Sequence, residues 1–331
     1  MKKYFIIIFI LLCSFSFSFS EEPPEWYADR CFCFPESEYI SSVGSGFTKI
    51  AAEEDALSKL ALFFETNISV NKSSGLYVVD KMNELKEKTR TVSSDIHVGS
   101  EVSLPCVQFT SCFYDKAADE YYVCAYIKKR EAVKDFESKL KISFTKADDF
   151  YSHALSAGDD FYSCRMAKCA EKIIQESFLN IERLILLDIK KGEYFINLAD
   201  DLNSKCTKIL NQKKKNLIFS INIDGDKNKS ISTVIKNLFE KQNFVCSAKN
   251  PIYKINGEIH FVESEVTGIG VFVRPSISIN VESKITGQTL SSYSRQLPKY
   301  GHKNIDGAYS KALTEIELDL KANLMDSLFN E

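Results

Sequence analysis

Residues 39–66 read YISSVGSGFTKIAAEEDALSKLALFFET, and the fold turns on them. The first part alternates in polarity and breaks at Gly44-Ser45-Gly46, as a strand entering a tight turn does. The second part is an Ala-rich amphipathic run. Ile50, Ala51, Ala56, Leu57, Leu60, Ala61 and Phe64 fall on or near one face at helical spacing, with Glu53, Glu54 and Asp55 toward the other. Small residues on the packing face let a helix sit close to a sheet. Thr48 is placed to cap the helix, and the early acids suit its dipole.

Around this strand–glycine–helix unit the chain has a recognisable order. A Pro-Glu-Trp-Tyr segment (residues 24–27) precedes it. VQFTSCFYD (107–115) and EYYVCAYI (120–127) follow, and then a helix beginning near Lys129. That order resembles the bacterial twenty-kilodalton surface lipoprotein family. The amino-terminal domain of flagellar assembly protein T is similar to it as well. The resemblance covers about residues 24–140. It implies a compact α+β envelope domain with no known catalytic activity.

A chain of 331 residues has length for two or three domains with buried cores. A net charge of −3 lacks the basic excess of a nucleic-acid binder. With 24 Phe and 15 Tyr, and 26% charged residues, this is a folding composition. Residues 1–20 read as an export signal. Lys2 and Lys3 form the basic start, and 5–12 form an apolar core too short to span a bilayer. Ser18 and Ser20 favour cleavage before Glu21. Lipidation at Cys13 is the alternative, although Leu12 stands where lipoprotein signals carry a small residue. An uncleaved anchor is a third. No later segment is apolar enough to cross a membrane.

Ten cysteines become nine once a signal leaves. Export permits disulfides, and an odd number leaves at least one thiol over, or a bridge between chains. Cys106 and Cys112 pair across a local turn in this reading. Cys164 and Cys169 point in different directions on one helix and do not pair with each other. Cys31-Phe-Cys33 lacks the spacing and the second ligand pair of a metal site.

After the organising helix, 67–79 and 91–102 alternate as strands, around a charged arm at 81–90 that is either a short helix or an exposed hairpin arm. Residues 106–127 form a hairpin about the polar turn KAADE. Helices follow at 128–140, 144–155 and 161–187, the last two as an antiparallel hairpin whose apolar stripe packs on itself. Residues 203–215, ending in three lysines, read as a solvated linker. A second α+β unit has strands at 216–223, 243–247, 252–263, 269–284 and 288–296, and helices at 230–241 and 305–329. The β-α-β-β-β-α order puts both helices on one face of the sheet. This unit loosely resembles the small accessory domains of envelope assembly proteins.

Motifs that could carry chemistry read as structure. Asp224, Asp226, Asn228 and Ser230 match the start of a calcium loop. However, Lys229 stands where a Gly belongs, and Ile235 where a bidentate Glu belongs. The stretch reads instead as a strand-to-helix turn capped by Ser230. Gly44-Ser-Gly46 has none of the partners of a nucleotide motif. His97, His153, His260 and His302 are scattered. The acidic doublets 148–149, 159–160 and 200–201 fall at helix starts or exposed ends, where they act as caps or surface.

The reading is α+β, two small sheet-plus-helix domains joined by a helical hairpin. Its segments are a signal at 1–20, a lipoprotein-family-like domain at 21–140, the hairpin at 141–202, a linker at 203–215 and a second domain at 216–331. No catalytic, cofactor-binding or metal residue is assigned. The expected role is a non-enzymatic structural or interaction component of an envelope or flagellum-associated assembly, in the periplasm or at the outer membrane or cell surface, that binds protein partners through sheet edges or the hairpin. Nucleic acid is excluded, and peripheral or lipid-anchored membrane association is allowed. The alternative is a periplasmic ligand-binding protein or enzyme acting on a cell-wall component.

Overall fold

The computed structural model describes residues 22–73, 104, 106–266 and 270–329. The expected export signal with Cys13, the arm expected at 81–90, the strand expected at 91–102 and His97 lie outside them. The chain is α+β. It divides into two compact units, with boundaries inside two helices, between Asn67 and Ile68 and between Asp135 and Phe136.

The first unit opens with two single-turn helices, α1 (Glu25–Ala28) and α2 (Arg30–Cys33). Strand β1 (Tyr39–Gly46) and helix α3 (Lys49–Ser73) follow. The stretch 67–73, expected as strand, continues α3. Strands β2 (Gln108–Phe109), β3 (Phe113–Asp115) and β4 (Glu120–Lys128) complete an antiparallel sheet in which β4 pairs with all three others. The expected hairpin is β3–β4. Its turn is held by Asp115 Oδ1, which accepts from Ala117 N at 2.8 Å.

Alternation gives the sheet two packed faces. Ile40, Ser42 and Gly44 of β1, with Val123, Ala125 and Ile127 of β4, turn toward α3. Tyr122 and Tyr126 turn the other way, under the leading segment. Tyr27 meets Tyr122 at 4.9 Å, and Phe34 stacks on Tyr126 at 4.4 Å. Trp26 of α1 is buried.

The glycines of β1 do not make the expected turn. Both lie inside the strand. A Cβ on Gly44 would stand 2.2 Å from Ala52 O and from Ala56 N, and one on Gly46 would stand 2.7 Å from Ala51 Cβ. They are needed because α3 lies almost on the sheet backbone. That contact selects Ala52, Ala56, Leu60 and Phe64 as the buried ridge, at i, i+4 spacing. Ile50 and Leu57, expected inward, are therefore left outside, Ile50 being 69% exposed. Thr48 caps α3 as expected, accepting from Ala51 N at 3.1 Å.

In the second unit the helices expected at 128–140 and 144–155 are one helix, α4 (Lys129–Ser156). It is followed by α5 (Asp160–Leu187) and α6 (Ile189–Lys213). The linker expected at 203–215 is thus a correction. Most of it is the last turns of α6, with Asn203, Cys206, Ile209 and Leu210 buried, followed by a single 3₁₀ turn, Lys214–Asn216. Its polar composition reflects one exposed face of a packed helix. Asp188 alone separates α5 from α6 and caps α6, accepting from Lys191 N at 3.1 Å. At this corner Gly192 lies against Ile185, where a Cβ would be 2.4 Å from Cγ1.

Then come β5 (Ile218–Asp224), α7 (Ser230–Lys241), β6 (Val245–Cys246), β7 (Tyr253–Val266), β8 (Gly270–Ser283), β9 (Thr289–Gln296), β10 (Tyr300–His302) and α8 (Ile305–Phe329). The sheet runs β10-β8-β7-β5-β6, with β9 also on β8, and β5 is parallel to both β6 and β7. Helices α7 and α8 pack on each other, and α8 lies along β8. The buried residues of α7 are Ile231, Ile235 and Phe239, with Val234 and Leu238 on the flank. Those of α8 include Ala308, Ala312, Ile316, Leu320, Leu324 and Leu328. Phe161 of α5 joins Phe219, Tyr253 and Phe329, so the helices share one aromatic core with the sheet.

Candidate functional site

The structure commits the chemistry-bearing residues of the sequence to local contacts. Asp226, in the calcium-like loop, caps α7. It accepts from Ser232 N and Ser232 Oγ, each at 2.7 Å, and does the work expected of Ser230. Lys229 takes the left-handed conformation, φ 56°, where a calcium loop would have Gly. Asp159 caps α5, accepting from Tyr162 N at 2.9 Å. Asp160 accepts from Lys213 at 2.6 Å and Asn216 at 2.7 Å, and Lys213 holds its carboxyl below the usual range against the cost of burial. Asp201 pairs with Lys205 on its own helix at 2.7 Å. Asp148 and Asp149 are exposed. His153 is exposed, His260 sits against the Glu258 carboxylate, and His302 Nδ1 lies 2.9 Å from Asn304 Oδ1. Among the described residues no group of acid, His and Cys side chains gathers as metal ligands.

The disulfide expectation is corrected, since the structure places no disulfide among the described cysteines. Cys106 is exposed with φ 58° and Cys112 is half-buried. Cys124, Cys164, Cys169 and Cys206 are instead core residues. Burial pushes the Cys124 thiol up to about 11 and those of Cys164 and Cys206 to about 12.

One buried ionic cluster stands where α5 and α6 meet the end of α8. Lys168 donates to Gln242 at 3.2 Å and lies 5.2 Å over the Phe329 ring. Lys214 lies 5.4 Å over Phe244, which stacks on Phe329 at 5.0 Å. Glu171, 5% exposed, accepts from Thr207 at 3.4 Å. Burial holds its carboxyl above the ordinary range. Burial, with the neighbouring Lys214, holds the Lys168 ammonium below its own. Two of the three lysines that end the expected linker are thus structural: Lys213 pairs with Asp160, and Lys214 lies in this cluster.

The sheet edges differ sharply. Thr110 N donates to Cys124 O, so Cys124 turns its backbone away from β1, and Val43 opposite it turns away from β4. The odd-numbered residues of β1 therefore face the outer edge. That edge is already occupied. Arg30 Nη1 donates to Ser41 O at 2.8 Å, Lys59 Nζ to Val43 O at 3.1 Å, and Asp55 Oδ2 accepts from Ser45 N at 2.9 Å. Asp55 and Lys59 also pair at 2.7 Å.

Among the described residues, the edge of β7 is open. β5 covers β7 only as far as Glu258, whereas β7 continues on β8 to Val266. Pro275 of β8 faces Phe261, and its carbonyl accepts from Leu297 N on the far side. Phe261, Glu263 and Glu265 therefore turn their backbone groups away from β8 toward the open edge. Val262 beside them is 59% exposed. On the α8 side, Phe261 packs on Tyr309 at 4.7 Å, and Tyr309 donates to Glu263 at 2.5 Å. Sequence reading missed this site. The only signal for it is length, since the strand at 252–263 outruns its parallel partner at 216–223.

No family profile matches the chain, and no curated protein sequence does. Among solved structures, a secreted protein from Helicobacter pylori superposes with 14% identity and a TM-score of 0.41, over 86% of this chain and 98% of that one. A minor lipoprotein from Acinetobacter baumannii superposes with 17% identity and a TM-score of 0.25, over 33% of this chain and 87% of that one. Both scores are below those of chains that share one overall fold. No helix among the described residues is long and apolar enough to cross a membrane.

Proposed function

We propose that this is an exported envelope-associated protein that works by binding rather than by chemistry, and that it takes an extended segment of a protein partner along the open edge of β7. The observation that carries this reading is the run of β7 past Glu258, hydrogen-bonded on one side only among the described residues. An unpaired strand of this length supplies main-chain affinity to an added strand, and the flanking side chains supply selectivity. Those side chains include Glu263 and Glu265, so the partner segment carries Lys or Arg opposite them. Self-pairing about Glu263 would set two copies of that carboxylate face to face, which disfavours a second copy of this chain as the occupant.

A photoreactive residue at Val262 of the full exported chain tests this in cells. The expected product is an adduct to one envelope protein, through a peptide containing basic residues, that is lost in Glu265→Lys. Adducts that survive the charge reversal, or none at all, would overturn the reading. The amino terminus of the same material distinguishes cleavage after Ser20 from lipid on Cys13.

A further inference from the structure

We infer that Arg30, Asp55 and Lys59 form a clamp that shuts the β1 edge and keeps two copies of this chain from joining sheet to sheet. The strand itself offers no deterrent. YISSVGSG contains no charge and no proline, and its pairing with β4 runs without a bulge. Such an edge is a template for a second chain unless something covers it. Here the cover is three charged side chains reaching from outside the strand. Arg30 comes from α2, and Asp55 and Lys59 lie one turn apart on α3. They take two carbonyls and one N–H of the outward row at Ser41, Val43 and Ser45. An incoming strand needs those same groups and would have to displace all three side chains, separating the Asp55–Lys59 pair as it did so. The spacing fits the task. The outward groups recur every second residue along β1, and one helical turn of α3 spans the step from Val43 to Ser45. The occupant excluded is a second copy, because antiparallel pairing centred on Val43 sets Ser41 against Ser45 with no like charges opposed.

The experiment uses the full mature chain with Arg30→Ala, Asp55→Ala and Lys59→Ala together. Sedimentation velocity is run over a hundredfold range of concentration. The wild type is expected to show no association through this edge. The triple variant is expected to shift toward twice the mass, with slowed amide exchange at Ser41, Val43 and Ser45. Adding Val43→Pro, which removes an outward N–H and leaves the ladder to β4 intact, should return it to the wild-type mass. A folded triple variant that keeps the wild-type mass at all concentrations would overturn the inference. So would association that persists with Val43→Pro. Should the triple variant lose its circular dichroism, Lys59→Ala alone decides between the same outcomes, because Lys59 is half exposed and its helix tolerates alanine.

Discussion

The Tyr253 hydroxyl donates to Asp159 Oδ2 at 3.0 Å and accepts from Phe161 N at 3.3 Å, which ties the first turn of α5 to β7. Tyr253 is 2% exposed, and burial together with Asp159 raises its pKa. Tyr253→Phe leaves a half-buried carboxylate oxygen and a buried amide short of a partner and is expected to cost about 1–3 kcal/mol. Asp159→Ala also removes the cap of α5 and should cost more. Urea unfolding of the two variants gives the comparison, and equal losses would count against the arrangement.

Gly44→Ala should be among the most damaging single-methyl changes in the chain. The added Cβ meets backbone atoms of α3 at 2.2 Å, so the whole helix must move. A loss of about 3 kcal/mol is expected from overpacking of this kind. Ile50→Ser, on the outer face of the same helix, should stay within about 0.5 kcal/mol. Thermal or urea unfolding checks both.

Glu137 bridges α4 to α6. It accepts from Lys191 at 2.7 Å and from Lys141 at 2.8 Å. These lysines hold its carboxyl at about 2, against 4.5 for the ordinary group. A depressed carboxyl stabilises the folded state above its unfolded pKa. That contribution is therefore complete above pH 4.5 and fades as the pH falls toward 2. The pair faces solvent, which reduces its worth to about 1 kcal/mol. Glu137→Gln should lose that amount at pH 7 and flatten the acid limb of the stability curve.

Thiol chemistry should divide the cysteines by depth. In the native chain at pH 8, an aromatic disulfide reagent is expected to label the exposed Cys31 and Cys106 quickly. Cys124, Cys164 and Cys206 should react only in denaturant, because burial keeps them protonated and out of reach. Mass spectrometry of the labelled peptides gives the order, and fast native labelling of Cys164 would contradict the packing of α5.

Much of the second unit was legible along the chain. Helix α7 and helix α8 have the expected ends, and the long strands lie within a few residues of their expected bounds, because period and turn chemistry are local signals. The faces of the helices were harder. Apolar periodicity placed Ile50 and Leu57 inward on α3. The buried ridge instead steps by four residues through Ala52, Ala56, Leu60 and Phe64, because the side chains facing Gly44 must be small. The same local reading took the polar end of α6 for a linker, since one wet face of a helix and a solvated segment share a composition.

By itself the sequence determined the α+β class and most of the element order from β5 onward, with the export signal as an expectation, since each depends on short-range patterns of polarity, glycine and capping residues. Only the tertiary structure decided which strand edges are shut and which stand open. The β1 edge is closed by Arg30 from eleven residues before Ser41 and by Lys59 from sixteen residues after Val43. Among the described residues the β7 edge is open because β5 stops at Asp224 while β8 runs on. Both facts depend on where separate segments meet, and backbone hydrogen bonds between segments leave no mark in the order of side chains.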